Sequence, residues 1–365
     1  MALTVVSFIV VMSILVFVHE FGHFIVAKRN HIVVEEFGFG FPPRLITLGE
    51  RDGTVYSINA IPFGGFVRLR GEDDPSQVGS MAGAPKIVRT ATLLAGPAMN
   101  LLLAVMLFSV WVALTGLPDQ SKETGAVIQD ISPGSPASLA GLHAGDKIVA
   151  VDGRPVADFT ALQQLTAANL GRPTSYQVER QANGASHTLT LSIVPRARPP
   201  AGEGALGVAI APPPNRPVTP AEAVAFGFEQ TATLIALTFS IPAALIRAGK
   251  PIADAGFMGP VGIAAVTGQV VRSSIAVDSI KPILSFMGAL STALGLTNLL
   301  PIPGLDGGRL LFVIVEAVRR KRIEPMQEGI VHLIGLGLLL VLVAMLTVSE
   351  VTSLVTGTFP SITPH

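Results

Sequence analysis

The sequence predicts a polytopic α-helical membrane protein. It has four transmembrane helices, a β-hairpin after the first and a small α+β domain inserted after the second. Three observations carry this expectation. Charged residues make up 14 % of the 365 residues, against about 25 % in a typical soluble protein. The charge is missing in blocks: residues 1–19, 90–118, 282–305 and 329–349 hold no Lys, Arg, Asp or Glu. Each block approaches or exceeds the roughly 18 to 20 residues that cross a bilayer. Lys plus Arg equals Asp plus Glu at 25 each, which excludes a nucleic-acid binder held by bulk positive charge. The absence of cysteine excludes disulfides, iron–sulfur clusters, Cys-type zinc sites and a Cys nucleophile.

The elements follow in order. Residues 1–24 form the first span. They lack a basic leader and a small-residue cleavage pattern, so an uncleaved anchor is expected. Residues 25–91 follow as a β-hairpin region, with Phe37–Phe41 and Val55–Arg70 as strands about Asp52-Gly53. The second span covers 92–115. Residues 116–200 form the inserted domain, and 201–282 a linker plus an amphipathic interfacial helix at 221–247. Residues 255–271 hold four glycines and Pro260 and read as loop. The third span is 283–308, residues 309–328 are a basic loop, the fourth span is 329–350 and 351–365 is a tail. Lys28-Arg29 and Arg319-Arg320-Lys321-Arg322 set the orientation, because cytoplasmic loops carry the excess of Lys and Arg. The N-terminus, the inserted domain and the tail are then outside.

The inserted domain reads as a loop and short helix (Ser135-Pro136-Ala137 to Ala140-Gly141-Leu142), then Gly145-Asp146-Lys147-Ile148 opening a strand. A helix at 158–170 and strands at 176–180 and 188–194 about Asn183-Gly184 complete it. Residues 196–217 are Pro/Gly-rich and read as linker. The stretch resembles a PDZ domain of the bacterial protease-associated type. Such domains take extended peptide ends by strand addition.

The chemistry sits in His19-Glu20-Phe21-Gly22-His23. On a helix, positions i and i+4 share one face, so both imidazoles can ligate one zinc with Glu20 poised as general base. A catalytic zinc needs a third protein ligand. His143 and His187 fall in the inserted domain, His365 at the terminus, His31 in the chain leaving the membrane and His332 at the start of the last span. Asp306 is the better candidate. It is a lone carboxylate between glycines where an uncharged span breaks at Pro301 and Pro303, and backbone is broken at membrane depth only where it is buried or lines a cavity.

The His-Glu-x-x-His motif, Gly96-Pro97-Ala98-Met99-Asn100 on the second span, the PDZ-like insert and the run Asn298 to Gly308 together resemble the site-2 protease family. These are intramembrane zinc metalloproteases, here of the bacterial RseP type with room for a single PDZ domain. The resemblance implies that His19, His23 and Asp306 ligate zinc and that Glu20 is the general base. It implies that Asn298 positions the substrate backbone and that Asn100 supports the site. It also places the hairpin in the membrane, where Gly38, Phe39 and Gly40 would let an unwound substrate pair with its edge. The implied substrates are single-span membrane proteins such as anti-sigma factors or remnant signal peptides, in a bacterial inner membrane and with no nucleic-acid partner. The rival readings are a non-catalytic PDZ adaptor with a structural metal site and a broken-helix transporter. Glu20 has no purpose in the first, and the second calls for inverted repeats that are absent.

Overall fold

The first charge-free block folds as one helix, α1 (Ala2–Arg29), which ends on Lys28 and Arg29, cations suited to a helix C-terminus. A computed structural model describes residues 1–72, 74–119, 125–182, 185–200, 202–211, 215–249 and 258–359. They form two units, one of residues 1–114 with 219–365 and one of residues 115–218.

In the first unit, α1 leads into strands β1 (Val34–Arg51) and β2 (Thr54–Leu69). Asp52 and Gly53 join them at φ +50° and +71°, the left-handed pair that a two-residue hairpin turn requires. The register is doubled. Phe37 faces both Tyr56 and Val67, Gly38 both Ser57 and Phe66, and Phe39 both Ile58 and Gly65. The stretch Glu36–Phe39 is therefore paired on both sides. Buried Glu36 pins it, taking Arg44 Nε at 2.9 Å and Nη2 at 2.6 Å, and Ser57 Oγ at 2.7 Å. Helix α2 (Lys86–Thr115) follows, with Pro97 inside it.

The second unit starts with β3 (Leu117–Pro118), β4 (Ala126–Ile131) and α3 (Pro136–Leu139). It continues with β5 (Lys147–Val151), β6 (Arg154–Pro155), α4 (Phe159–Ala167), β7 (Thr174–Ala182) and β8 (Ala185–Ile193). It closes with β9 (Val208–Ile210) and β10 (Asn215–Arg216). The sheet runs β8-β7-β5-β4-β9, with β6 beside β5, while β10 pairs β3. Ile128, Ile148, Val151, Tyr176, Val178 and Ile193 fill the core. Two readings change here. Residues 196–217 are not all linker: Val208–Ile210 close the free edge of β4, a long-range pairing that Pro/Gly-rich surroundings hide. The Asn183-Gly184 turn lies outside the described residues.

The first unit resumes with α5 (Pro220–Arg247), α6 (Pro260–Ala276), α7 (Lys281–Leu299), α8 (Asp306–Arg319) and α9 (Pro325–Val355). Val11, Leu15, Leu103, Leu107 and Met287 form one cluster that joins α1, α2 and α7. Among the described residues, five helices (α1, α2, α5, α7 and α9) are long and apolar enough to cross a membrane, by length and composition. The charge-free blocks predict four. Residues 221–247 read as interfacial, yet the first half of α5 packs along α2: a Cβ on Gly227 would strike Ser109 Oγ and the Val105 carbonyl. The loop expected at 255–271 is helical from Pro260. Its glycines mark close contacts rather than turns: Gly262 lies against Glu350 and Gly268 against Thr4. The basic loop expected at 309–328 is largely α8, whose burial of Val313 and Glu316 on one face gives it helical order. The third span expected at 283–308 is not one helix: α7 ends at Leu299, and Asp306 opens α8.

Candidate active site

Helical spacing puts His19 and His23 on one face of α1, both buried. Asp306 reaches them from the first turn of α8. Its Oδ2 lies 3.0 Å from His19 Nε2 and 3.4 Å from His23 Nε2, and the two Nε2 atoms are 3.2 Å apart. The three side chains each offer one ligand atom, all within 4.8 Å of one another. Among the described residues this is the one His/Cys/Asp/Glu group that could hold a metal ion.

The neighbours fit a metal. His23 Nδ1 donates to the Thr92 carbonyl at 2.8 Å; a carbonyl only accepts, so Nδ1 carries a proton and Nε2 is the nitrogen turned to the ligand position. Asn100, fully buried on α2, lies 3.1 Å from His19 Nδ1 through its Nδ2, while its Oδ1 has no hydrogen-bond partner among the described residues. Ligation through His19 Nε2 requires the proton on Nδ1 and an acceptor opposite it. A half-turn of the Asn100 amide supplies that acceptor from the orphaned oxygen.

Close passage of α2 makes this possible. A Cβ on Gly96 would strike His23 Nε2 and lie 2.8 Å from His19 Nε2, and one on Gly22 would strike the Ala95 carbonyl. A methyl group at residue 96 would fill the place where a metal would sit. The turn before α8 is equally tight: a Cβ on Gly307 would strike the Leu299 and Leu300 carbonyls, and one on Gly308 that of Ile302. The glycines after Asp306 therefore fold α8 back onto the end of α7.

A cavity of about 220 Å³ opens on the site, lined by Glu20, His23, Val67, Leu69, Asp306 and Arg309 among others. Arg309 is held to Glu72 at 2.5 Å. Glu20 is half-buried on the cavity wall, and a Cβ on Gly65 would lie 3.1 Å from its Cβ, so this strand too passes close to α1.

The structure thus brings together His19, Glu20, His23, Asn100 and Asp306. It does not bring the expected hairpin residues to the cavity. The room left by Gly38 and Gly40 is taken by β2 itself: a Cβ there would meet Ser57 Oγ and the Ile61 carbonyl respectively. Phe39 is exposed and outside the cavity lining. Asn298 is half-buried in the last turn of α7, makes no side-chain hydrogen bond among the described residues and is not part of that lining. Two site features were missed. Gly96 stood in a run that was noted, but the run does not say what the glycine faces. The Thr92 carbonyl is backbone and leaves no residue-type signal.

In the second unit, a groove of about 450 Å³ lies between α4 (Phe159, Leu162, Thr166) and the chain at Leu206–Ile210, where β9 forms the edge of the sheet.

A His-Glu-x-x-His helix whose imidazoles meet a distant carboxylate, set among helices able to cross a bilayer, defines a membrane-bound metallohydrolase. The chain belongs to peptidase family M50, the site-2 proteases, whose model matches residues 7–342. The zinc metalloprotease RasP of Geobacillus kaustophilus is 30 % identical over 435 residues, covering 95 % of this chain and 97 % of the relative. A relative from Agrobacterium fabrum is 31 % identical over 377 residues, covering 96 % of each chain. One from Clostridium acetobutylicum is 31 % identical over 353 residues, covering 95 % and 97 %. Both carry zinc metalloprotease in their names. The protein is a multi-pass membrane zinc metalloprotease, and its cofactor is zinc.

Proposed function

We propose that the enzyme hydrolyses peptide bonds inside the transmembrane segments of single-span proteins, with His19, His23 and Asp306 holding zinc and Glu20 as general base. One observation carries the reading: the ligand atoms of His19 and Asp306, 287 residues apart in sequence, meet against α1, a helix long and apolar enough to cross a bilayer, with Asp306 on the short α8 that follows α7. Zinc, when bound, supplies Lewis acidity and makes water acidic enough to ionise near neutral pH. Glu20, on the cavity wall beside both histidines, takes the proton from the attacking water and passes it to the leaving amine. Thr92 and Asn100 hold the two imidazoles in the ligating tautomer.

A substrate helix must unwind before its peptide bonds are accessible. Gly38 and Gly40 serve the sheet's own packing, so the pairing edge moves to Gly65–Leu69. That stretch pairs with Val34–Phe39 on one side only, and Val67 and Leu69 line the site cavity. An extended substrate strand added there runs past Glu20. Asn298, with both ends of its amide unpaired among the described residues, steadies the substrate backbone, and Phe39 offers an exposed ring to it. The second unit acts as a PDZ domain that takes a peptide or substrate end along β9 and against α4. Both basic clusters lie on the cytoplasmic side of a bacterial inner membrane, with α5 an amphipathic, interfacial helix of the outer face rather than a crossing. Remnant signal peptides and anti-sigma factors are the substrate classes to test first.

Glu20→Gln in purified protein tests the reading. Zinc content stays at that of the parent while cleavage of a single-span substrate is lost; surviving cleavage would falsify it.

A further inference from the structure

We propose that α9 clasps the turn that presents Asp306, with His332 as the positioning residue. The inference rests on the reading of Asp306 as a zinc ligand. Residues 300–305 link α7 to α8 through two prolines and Gly304, whose φ is +99°. Such a turn has few internal bonds with which to fix the carboxylate that follows it. Ile302 N–H donates to the Leu300 carbonyl at 2.7 Å and Leu305 N–H to that of Ile302 at 3.1 Å. The Gly304 N–H points outward and donates to His332 Nδ1 at 2.9 Å.

Three further contacts meet at the same place. A Cβ on Gly335 would strike the Pro303 carbonyl oxygen, so the α9 backbone lies directly on the turn. Leu336 Cα would lie 3.6 Å from a Cβ on Gly304. The His332 ring packs against Phe312 of α8 at 5.3 Å between centroids. His332 thus touches both the turn before Asp306 and the helix after it. Because its Nδ1 accepts, the ring proton is on Nε2, on the side of Glu328 Oε1 at 3.8 Å.

Elsewhere α9 is poorly held. Only 6 % of its most apolar window is buried, against 22 % in α1 and 33 % in α7. It is also anchored through Glu350, whose carboxylate accepts the N–H groups of Gly259 and Gly262 at the start of α6. A helix with so little buried surface, fastened at the Asp306 turn, acts as a brace for that turn.

Hydrogen exchange reads the clasp directly. Pro301 and Pro303 carry no N–H, so residues 301–305 have three exchanging amides, and two of them bond within the turn. The tests are His332→Leu, which removes the acceptor, and His332→Asn, whose side-chain oxygen falls near the place of Nδ1. In the full-length protein, His332→Leu speeds exchange at Gly304 at least tenfold. It also speeds zinc loss to a chelator and lowers kcat roughly 10–100-fold, the range for groups that hold metal ligands, with KM unchanged. His332→Asn restores all three. Should the Leu variant not fold, Gly335→Ala strikes the same turn from the other contact and gives the same exchange and zinc readouts. Unchanged Gly304 exchange in His332→Leu, or an Asn variant no better than Leu, overturns the proposal. Persistent cleavage in Glu20→Gln would sink the protease reading and leave the Gly304 exchange result standing, so the two failures are distinct.

Discussion

Two aspartates, one in each unit, Asp146 buried and Asp306 half-buried, use similar bonds to different ends. Asp146 in the second unit has a complete set of donors. The His143 N–H reaches Oδ2 at 2.8 Å, Arg180 Nε reaches Oδ1 at 2.7 Å and Arg180 Nη2 reaches Oδ2 at 2.7 Å. Asp306 in the first unit offers one oxygen to two imidazoles. The first arrangement is closed, because both carboxylate oxygens are taken by donors of the fold and Arg180 Nη2 also reaches the Gly141 carbonyl at 2.8 Å. The second is open, because one carboxylate oxygen is shared between two imidazole nitrogens and Asn100 keeps a spare oxygen. A buried carboxylate with a full donor set serves the fold. One shared between partners that still have something to offer marks a site.

Exchanging the carboxylate for an amide at each position should break the comparison if it is wrong. Asp306→Asn is expected to lose zinc and all measurable cleavage while amide exchange in β5 and β7 stays as in the parent. Asp146→Asn is expected to do the reverse: zinc stoichiometry and per-molecule cleavage persist, and the second unit loses about 1–3 kcal/mol, the cost of spoiling a buried hydrogen-bond set. Zinc content by elemental analysis and exchange rates on the same samples decide it. Normal zinc binding in Asp306→Asn would remove that residue from the ligand set.

Gly96→Ala sharpens the same contrast from the other helix. Alanine favours a helix over glycine by about 1 kcal/mol, so on backbone grounds the change stabilises α2. The added methyl meets His23 Nε2. Zinc affinity or turnover should therefore fall roughly 10–100-fold in a well-folded protein, as when the groups around metal ligands are disturbed. An unaffected enzyme would show that α2 can back away from the histidines.

The topology can be broken in the same spirit, and the absence of cysteine makes single labels clean. Thr219→Cys and Ala248→Cys flank α5. Both should react with an impermeant maleimide from the outer side. Reaction from opposite sides would make α5 a fifth crossing and reverse the placement of Arg319–Arg322.

How legible this was in the sequence depends on whether one residue or a contact carried the signal. The His-Glu-x-x-His pair was plain, because helical period alone puts both imidazoles on one face. Asp306 was plain, because a lone acid at a Pro/Gly break in an apolar block has few other uses. The β1–β2 turn was plain from Asp52-Gly53. Helix α6 was not: glycines that let Glu350 and Thr4 approach read the same as glycines that make loops. Strand β9 was hidden because three residues acquire strand order only by pairing with β4 from far away in sequence. The doubled pairing of Glu36–Phe39 was invisible too, and it is what moves the proposed substrate edge from Gly38–Gly40 to Gly65–Leu69. Residue types announce chemistry; which backbone lies beside which is decided by packing.

The smallest expected effect is on acid stability. Burial alone raises the Asp146 carboxyl, but the Arg180 guanidinium and the His143 N–H outweigh it and leave it below the usual carboxylate range. Its folded value is thus below the unfolded value of about 3.9. As pH falls, the unfolded chain takes up the proton first, so protons favour unfolding. The stabilisation from this pair is complete above about pH 5 and is lost as pH drops through about 4 towards the folded value. Exchange at β5 and β7 amides in the full-length protein, compared between pH 6 and pH 3.5 after correction for intrinsic rates, should accelerate. In Asp146→Asn, which has no carboxyl at that position, the acid-induced part should shrink. An equal acceleration in both proteins would assign the acid sensitivity to other carboxylates and leave the Asp146–Arg180 pair a matter of geometry alone.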